Sequence, residues 1–126
     1  MTATELIEQI DELVPNPFSE AAKLALVNEI EGKLQTELLL IPARDVTVIA
    51  AADADSAELL LPPARATLYL AWMRSMIYWM MGEYEIYQNE KAMFDAEWER
   101  AMRDACIERD RSTICGSTAP SEGGAL

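Results

Sequence analysis

Residues 68–81, LYLAWMRSMIYWMM, constrain the fold more than any other stretch. Leu68, Tyr69, Leu70, Trp72, Met73, Met76, Ile77, Trp79 and Met80 surround the axis of any helix built from them. A helix apolar all round has to be buried on most sides. The stretch is too short for a membrane span, which needs roughly 20 apolar residues. It also carries Arg74 at its centre, at a cost of about 2.5–3.5 kcal/mol or more in lipid. The reading is therefore a buried core helix over about 64–81, with no membrane partner. Pro62 and Pro63 precede it, and Gly82 is a plausible C′ glycine. A chain of 126 residues builds a modest core, so one fold leaves part of this surface uncovered. Exposed apolar area of that kind marks an oligomer interface. Trp72 and Trp79, with Tyr84, Tyr87 and Trp98 beyond Gly82, are the candidate subunit-interface residues.

A core helix needs partners, and periodicity supplies three. The first helix is expected over about 3–13. Thr2 caps it, Glu5 completes a capping box, and Leu6, Ile7, Ile10, Leu13 and Val14 share a face. Val14 precedes Pro15, which disfavours helix, and Asn16, Pro17 and Phe18 make a tight link. The second helix is expected over about 19–40, capped by Ser19 with Glu20 in its first turn. Leu26, Ile30, Leu34 and Leu38 recur every four residues, and Pro42 ends the element. Gly32 lies inside it at about 1 kcal/mol relative to alanine, either on an exposed face or where another helix approaches. The last helix is expected over about 83–108. Tyr84, Tyr87, Lys91, Phe94, Trp98, Ala101 and Ala105 alternate spacings of three and four, a heptad seam. Glu83, Glu90, Glu97, Arg100, Asp104 and Glu108 fall on the face away from it. Between the second and third helices, Asp45-Val46-Thr47-Val48-Ile49 is β-branched and Glu58-Leu59-Leu60-Leu61 is apolar. They predict a short β-hairpin or loop excursion at about 45–61. The fold class is mainly α, a small bundle of four helices. Residues 1–111 form one helical domain, and 112–126, rich in Gly, Ser, Thr and Ala, are expected to be a flexible tail.

The same residues restrict chemistry. The chain has no histidine, which removes histidine general bases, the usual triads and most zinc or di-iron sites. Cys106 and Cys115 fit no metal spacing, and Cys106 lacks a base. Asp53-Ala54-Asp55-Ser56 opens like a calcium loop but lacks the glycine and the terminal ligand. No phosphate-binding glycine motif is present. The chain is read as a non-enzyme without metal or cofactor. Its formal net charge of −12 argues against a nucleic-acid binder, which shows a basic face. Before Pro62 the only bases are Lys23, Lys33 and Arg44. That acidity keeps the free chain soluble or meets a basic partner. The N-terminus shows no basic n-region and no apolar run, so synthesis in the cytoplasm is expected.

Three stretches together carry a resemblance. The first is Pro15-Asn16-Pro17-Phe18-Ser19 leading into Val27-Asn28-Glu29-Ile30-Glu31-Gly32-Lys33-Leu34-Gln35-Thr36-Glu37. The second is Glu58-Leu59-Leu60-Leu61-Pro62-Pro63 followed by Leu68-Tyr69. The third is Gly82-Glu83-Tyr84, then Tyr87, Asn89 and Phe94. In this order and spacing, over roughly residues 5–107, the chain resembles the small head–tail connector (adaptor, head-completion) proteins of siphophages and prophages of Gram-positive hosts. The resemblance implies an α-helical virion subunit, made in the host cytoplasm and located at the head–tail interface. It implies a homo-oligomeric ring under the portal protein, twelvefold to match it. That ring extends the DNA channel without sequence-specific binding and docks the tail or a stopper protein. It also implies that the C-terminal segment reaches the portal. This gives Arg109, Arg111, Ile114 and Leu126 as candidate portal-contacting residues, although the tail here has few bulky apolar anchors. Two other readings differ in class. One is a small acidic intracellular interaction or regulatory protein, such as a DNA mimic. The other is a helical enzyme with carboxylate chemistry, which needs several acids converging in a pocket.

Overall fold

The chain is described in a computed structural model over residues 1–111. Four α-helices run in order: α1 Ala3–Leu13, α2 Glu20–Glu37, α3 Ala66–Met80 and α4 Tyr84–Arg111. Three single 3-10 turns, Ala43–Asp45, Ala51–Asp53 and Pro63–Arg65, lie between α2 and α3. The expected small helical bundle is therefore what forms. Residues 112–126, with Ile114 and Leu126, and the side chain of Arg111 lie outside the described residues.

The start of α1 follows its capping residues. The Glu5 N–H donates to Thr2 Oγ1 at 3.3 Å and the Thr2 N–H donates to Glu5 Oε1 at 2.9 Å, so two otherwise unpaired donors are satisfied reciprocally. Ala3, Leu6, Ile7, Ile10 and Val14 are buried, whereas Leu13 is 53% exposed. Ser19 caps α2 by accepting from the Ala22 N–H at 3.1 Å. Lys23, buried on α2, reaches Asp11 at 2.7 Å and ties the first two helices together.

Helix α2 ends at Glu37 rather than near residue 40. Leu40 takes up a left-handed conformation, φ 60°, and the Ile41 N–H returns to the Gln35 carbonyl at 2.9 Å. The sequence has no glycine there to mark the stop. Left-handed backbone at a non-glycine residue costs about 1–2 kcal/mol, and Leu40 is 63% exposed.

Helix α3 is central and packs against the other three. Leu68, Tyr69, Ala71, Met73, Ser75 and Ile77 are buried, as an all-round apolar helix requires. Gly82, φ 82°, reverses the chain into α4. A Cβ there would meet nothing within 4 Å, so glycine serves the conformation and not the space. The Gly82 and Glu83 N–H groups return to Trp79 and Tyr78 carbonyls at 3.1 and 2.9 Å, which satisfies the end of α3.

Helix α4 corrects the expected polar face. Phe94 and Ala101 of the seam are buried, but so is Glu90, which was assigned to the opposite side. Arg74 Nε lies 3.1 Å from Glu90 Oε1, and its Nη2 donates to Oε2 at 3.3 Å. Asp104, also assigned outward, pairs with Arg65. Glu90 is drawn in because Arg74 of α3 lies beside it and a buried carboxylate requires a partner, whereas the Asp104 side chain stays 43% exposed in its pair.

The excursion forms as a loop and not as a hairpin. Among the described residues there is no strand, only an isolated bridge between Thr2 and Glu58. The Thr4 N–H donates to the Ala54 carbonyl at 3.1 Å and the Leu59 N–H to the Met1 carbonyl at 2.8 Å. Asp55, one of the two acids of the calcium-like tetrad, accepts from the Thr4 hydroxyl. These bonds fasten the loop across the start of α1.

Candidate interaction surface

What holds the β-branched run is a polar stripe on α2. Asn28, Glu31 and Gln35 stand at i, i+3 and i+7, one helix face. The Gln35 amide accepts from the Thr47 N–H at 3.0 Å and donates to the Thr47 carbonyl at 2.9 Å. Asn28 repeats the pattern on Ile49, at 2.8 and 3.0 Å. Two carboxamides thus supply the bonds that a neighbouring strand would supply. Gly32 lies on this side, where an added Cβ would stand 3.7 Å from Val46 Cγ1. The element that approaches it is the excursion, not a helix.

Glu31 completes the clamp. It accepts from the Leu60 N–H at 2.9 Å and from the Tyr69 hydroxyl. The Tyr69 oxygen in turn accepts from the Leu61 N–H at 2.9 Å. Burial raises the Glu31 pKa above its ordinary value, and the Tyr69 and Leu60 donors only partly oppose that. Tyr69 is also raised, first by burial and then by its bond to Glu31. Carboxylate and phenol are thus engaged with each other and with two backbone N–H groups, an arrangement that holds chain. Nothing in the apolar run 59–61 or in the acid pattern of α2 signalled this clamp. The nearest clue is a polar i, i+3, i+7 set beside the apolar face of α2.

The five residues assigned to a subunit interface separate into two groups. The Trp72 indole N–H donates to the Leu26 carbonyl at 3.0 Å, and its ring lies 5.3 Å from Phe94. Trp98 lies 6.0 Å from Phe94, with Lys33 Nζ 4.9 Å above its ring. Both tryptophans join α2 to the hairpin of α3 and α4. Trp79 and Tyr84, by contrast, flank the Gly82 turn at 49% and 59% exposure, and Tyr87 is half-buried. Ile86, Met93 and Ile107 are exposed as well. They recur at multiples of seven, with Arg100 in the missing place, so they line one side of α4. This second stripe was missed because the aromatic seam dominates the pattern, although its spacing is visible in the sequence. Arg109 is exposed on the last turns of α4.

Two open clefts adjoin these features. One, of about 530 Å³, lies between α2 and the excursion and includes Glu31, Val48 and Leu60. The other, also about 530 Å³, lies between the end of α4 and the lead-in to α3, at Leu38, Leu61, Arg65 and Ile107. Among the described residues no group of His, Cys, Asp or Glu is placed to hold a metal ion, and no helix is long and apolar enough to cross a membrane. No known family, no curated protein and no solved structure matches this chain.

Proposed function

We propose that the chain is a structural virion protein of a tailed bacteriophage, a head–tail connector of the adaptor type. It assembles as a ring under the portal, extends the DNA channel and docks the tail or a stopper protein. The observation that carries the reading is that each of the three stretches resembling adaptor proteins contains a junction of this fold together with residues of the helix that follows it. Residues 15–19 link α1 to α2, with Ser19 as the cap. Residues 58–63 are the clamped lead-in to α3, held through Leu60 by Glu31. Gly82 and Tyr84 make the α3–α4 turn. Sequence at junctions sets how helices cross, so a likeness that includes all three concerns architecture.

Closed rings need a heterologous contact between subunits. Trp79 and Tyr84 at the turn, with Ile86, Met93 and Ile107 along α4, supply exposed apolar side chains for it. The net charge of −12 suits a channel that must let DNA slide. Negative-stain electron microscopy of the chain mixed with the portal protein of its own genome tests the reading. An annular layer added to one end of the portal ring is expected. Portal rings left unchanged would turn attention to the acidic interaction protein.

A further inference from the structure

The run Val46-Thr47-Val48-Ile49 has the composition of a strand and, among the described residues, pairs with no strand. In extended chain, backbone groups alternate sides with a period of two. Thr47 and Ile49 turn theirs to the Gln35 and Asn28 amides, so Val48 turns its own the other way. Among the described residues, the Val48 N–H and C=O, the Val46 C=O and the Ala50 N–H make no hydrogen bond. That is the pattern an antiparallel strand bonds to. The Val48 side chain is 72% exposed. The bonds on the α2 side hold the run extended in advance, which lowers the ordering cost of adding a strand.

The adjoining cleft shapes the partner. Ile41, Val48 and Leu60 give it an apolar lining, and its titratable residues, Glu31, Asp53 and Glu58, are all acids, Glu58 sharing its carboxylate with the Met1 amino group at 2.9 Å. Its volume of about 530 Å³ falls within the ~300–1,000 Å³ of well-formed ligand sites. Asp45 and Asp55 add charge to the same loop, where Arg44 is the one base. An exposed edge of this composition invites pairing with other chains, and the acids select which. The same edge of a second copy would bring acids against these acids, which disfavours pairing edge to edge.

We propose that the excursion is a docking edge for an extended, apolar peptide segment flanked by basic residues. The segment adds as a strand along 46–50, sets an apolar side chain in the cleft and places its bases against Asp53 and Glu58. The inference stands on the excursion alone and does not depend on the connector reading.

The test uses the intact, isotope-labelled protein and three blocked peptides. The first is Lys-Val-Thr-Val-Thr-Val-Lys. The second has Glu at both ends. The third is the basic peptide N-methylated at its central residues, so that it cannot pair as a strand. The basic peptide is expected to shift the amide resonances of 46–50 and to slow exchange of the Val48 N–H by about tenfold or more. The acidic and N-methylated peptides are expected to bind at least about tenfold more weakly, about 1.4 kcal/mol. The proposal is overturned if the basic peptide leaves the Val48 amide unprotected, or if either control binds equally well.

Discussion

Replacing Tyr69 by phenylalanine isolates the clamp, because the ring stays and only the hydroxyl goes. That hydroxyl donates to Glu31 and accepts from the Leu61 N–H. Losing a bond to a buried carboxylate costs about 1.5–3 kcal/mol, and leaving a buried N–H unpaired costs about 1–3 kcal/mol. Some relaxation is shared between the two, so Tyr69→Phe should cost roughly 3 kcal/mol in total. Urea unfolding followed by circular dichroism measures it, with a slope of about 1–3 kcal/mol per molar. The midpoint should fall by about 1–3 M at unchanged slope. The pH dependence separates the two parts. Glu31 has its folded pKa raised, so the folded chain binds this proton more tightly than the unfolded chain. Stability from this group therefore falls as pH rises from the unfolded value through the raised folded one. Removing the phenol donor raises that pKa further. The penalty of Tyr69→Phe should then be largest near neutrality and shrink towards acid, to the part belonging to the Leu61 N–H. A penalty below about 1 kcal/mol near neutrality, less than one bond to a charged group is worth, would refute the clamp. So would a penalty that grows on acidification.

Other substitutions probe the rest of the fold. Leu40→Gly relieves a left-handed leucine that buries little, and thermal unfolding should report a gain of about 0.5–1 kcal/mol after the glycine entropy cost. Gly82→Ala keeps the space open but not the conformation, and should lose about 1 kcal/mol in the same assay. Gln35→Met removes the side-chain bonds to Thr47, so hydrogen exchange at the Thr47 amide should accelerate while exchange in α1 stays unchanged. Trp79→Ser with Tyr84→Ser touches exposed side chains. Unfolding should move by no more than about 0.5 kcal/mol, while sedimentation should show weakened self-association.

The helices were legible because their signals are local. The Thr2 and Glu5 capping box, the Ser19 cap and the Gly82 reversal are each written in a few adjacent residues, and each formed as read. The apolar run of α3 announced a central helix for the same reason. What stayed hidden depends on distant partners. Glu90 read as solvent-facing until Arg74 is placed beside it. The β-branched run left hairpin and loop both open because its partners, Asn28 and Gln35, are side chains of a helix and leave no strand-like pattern. Trp72 and Trp98 looked like surplus surface because their targets, the Leu26 carbonyl and Lys33, lie on another helix. Trp79 and Tyr84 needed no partner to be read as exposed surface.

Mass photometry of the purified chain, alone and with the portal protein of its own genome, tests the connector reading most directly. The account predicts that the portal gains an integral number of 14.0 kDa subunits, equal to its own rotational symmetry. A chain that stays at 14.0 kDa beside a portal of unchanged mass would contradict it.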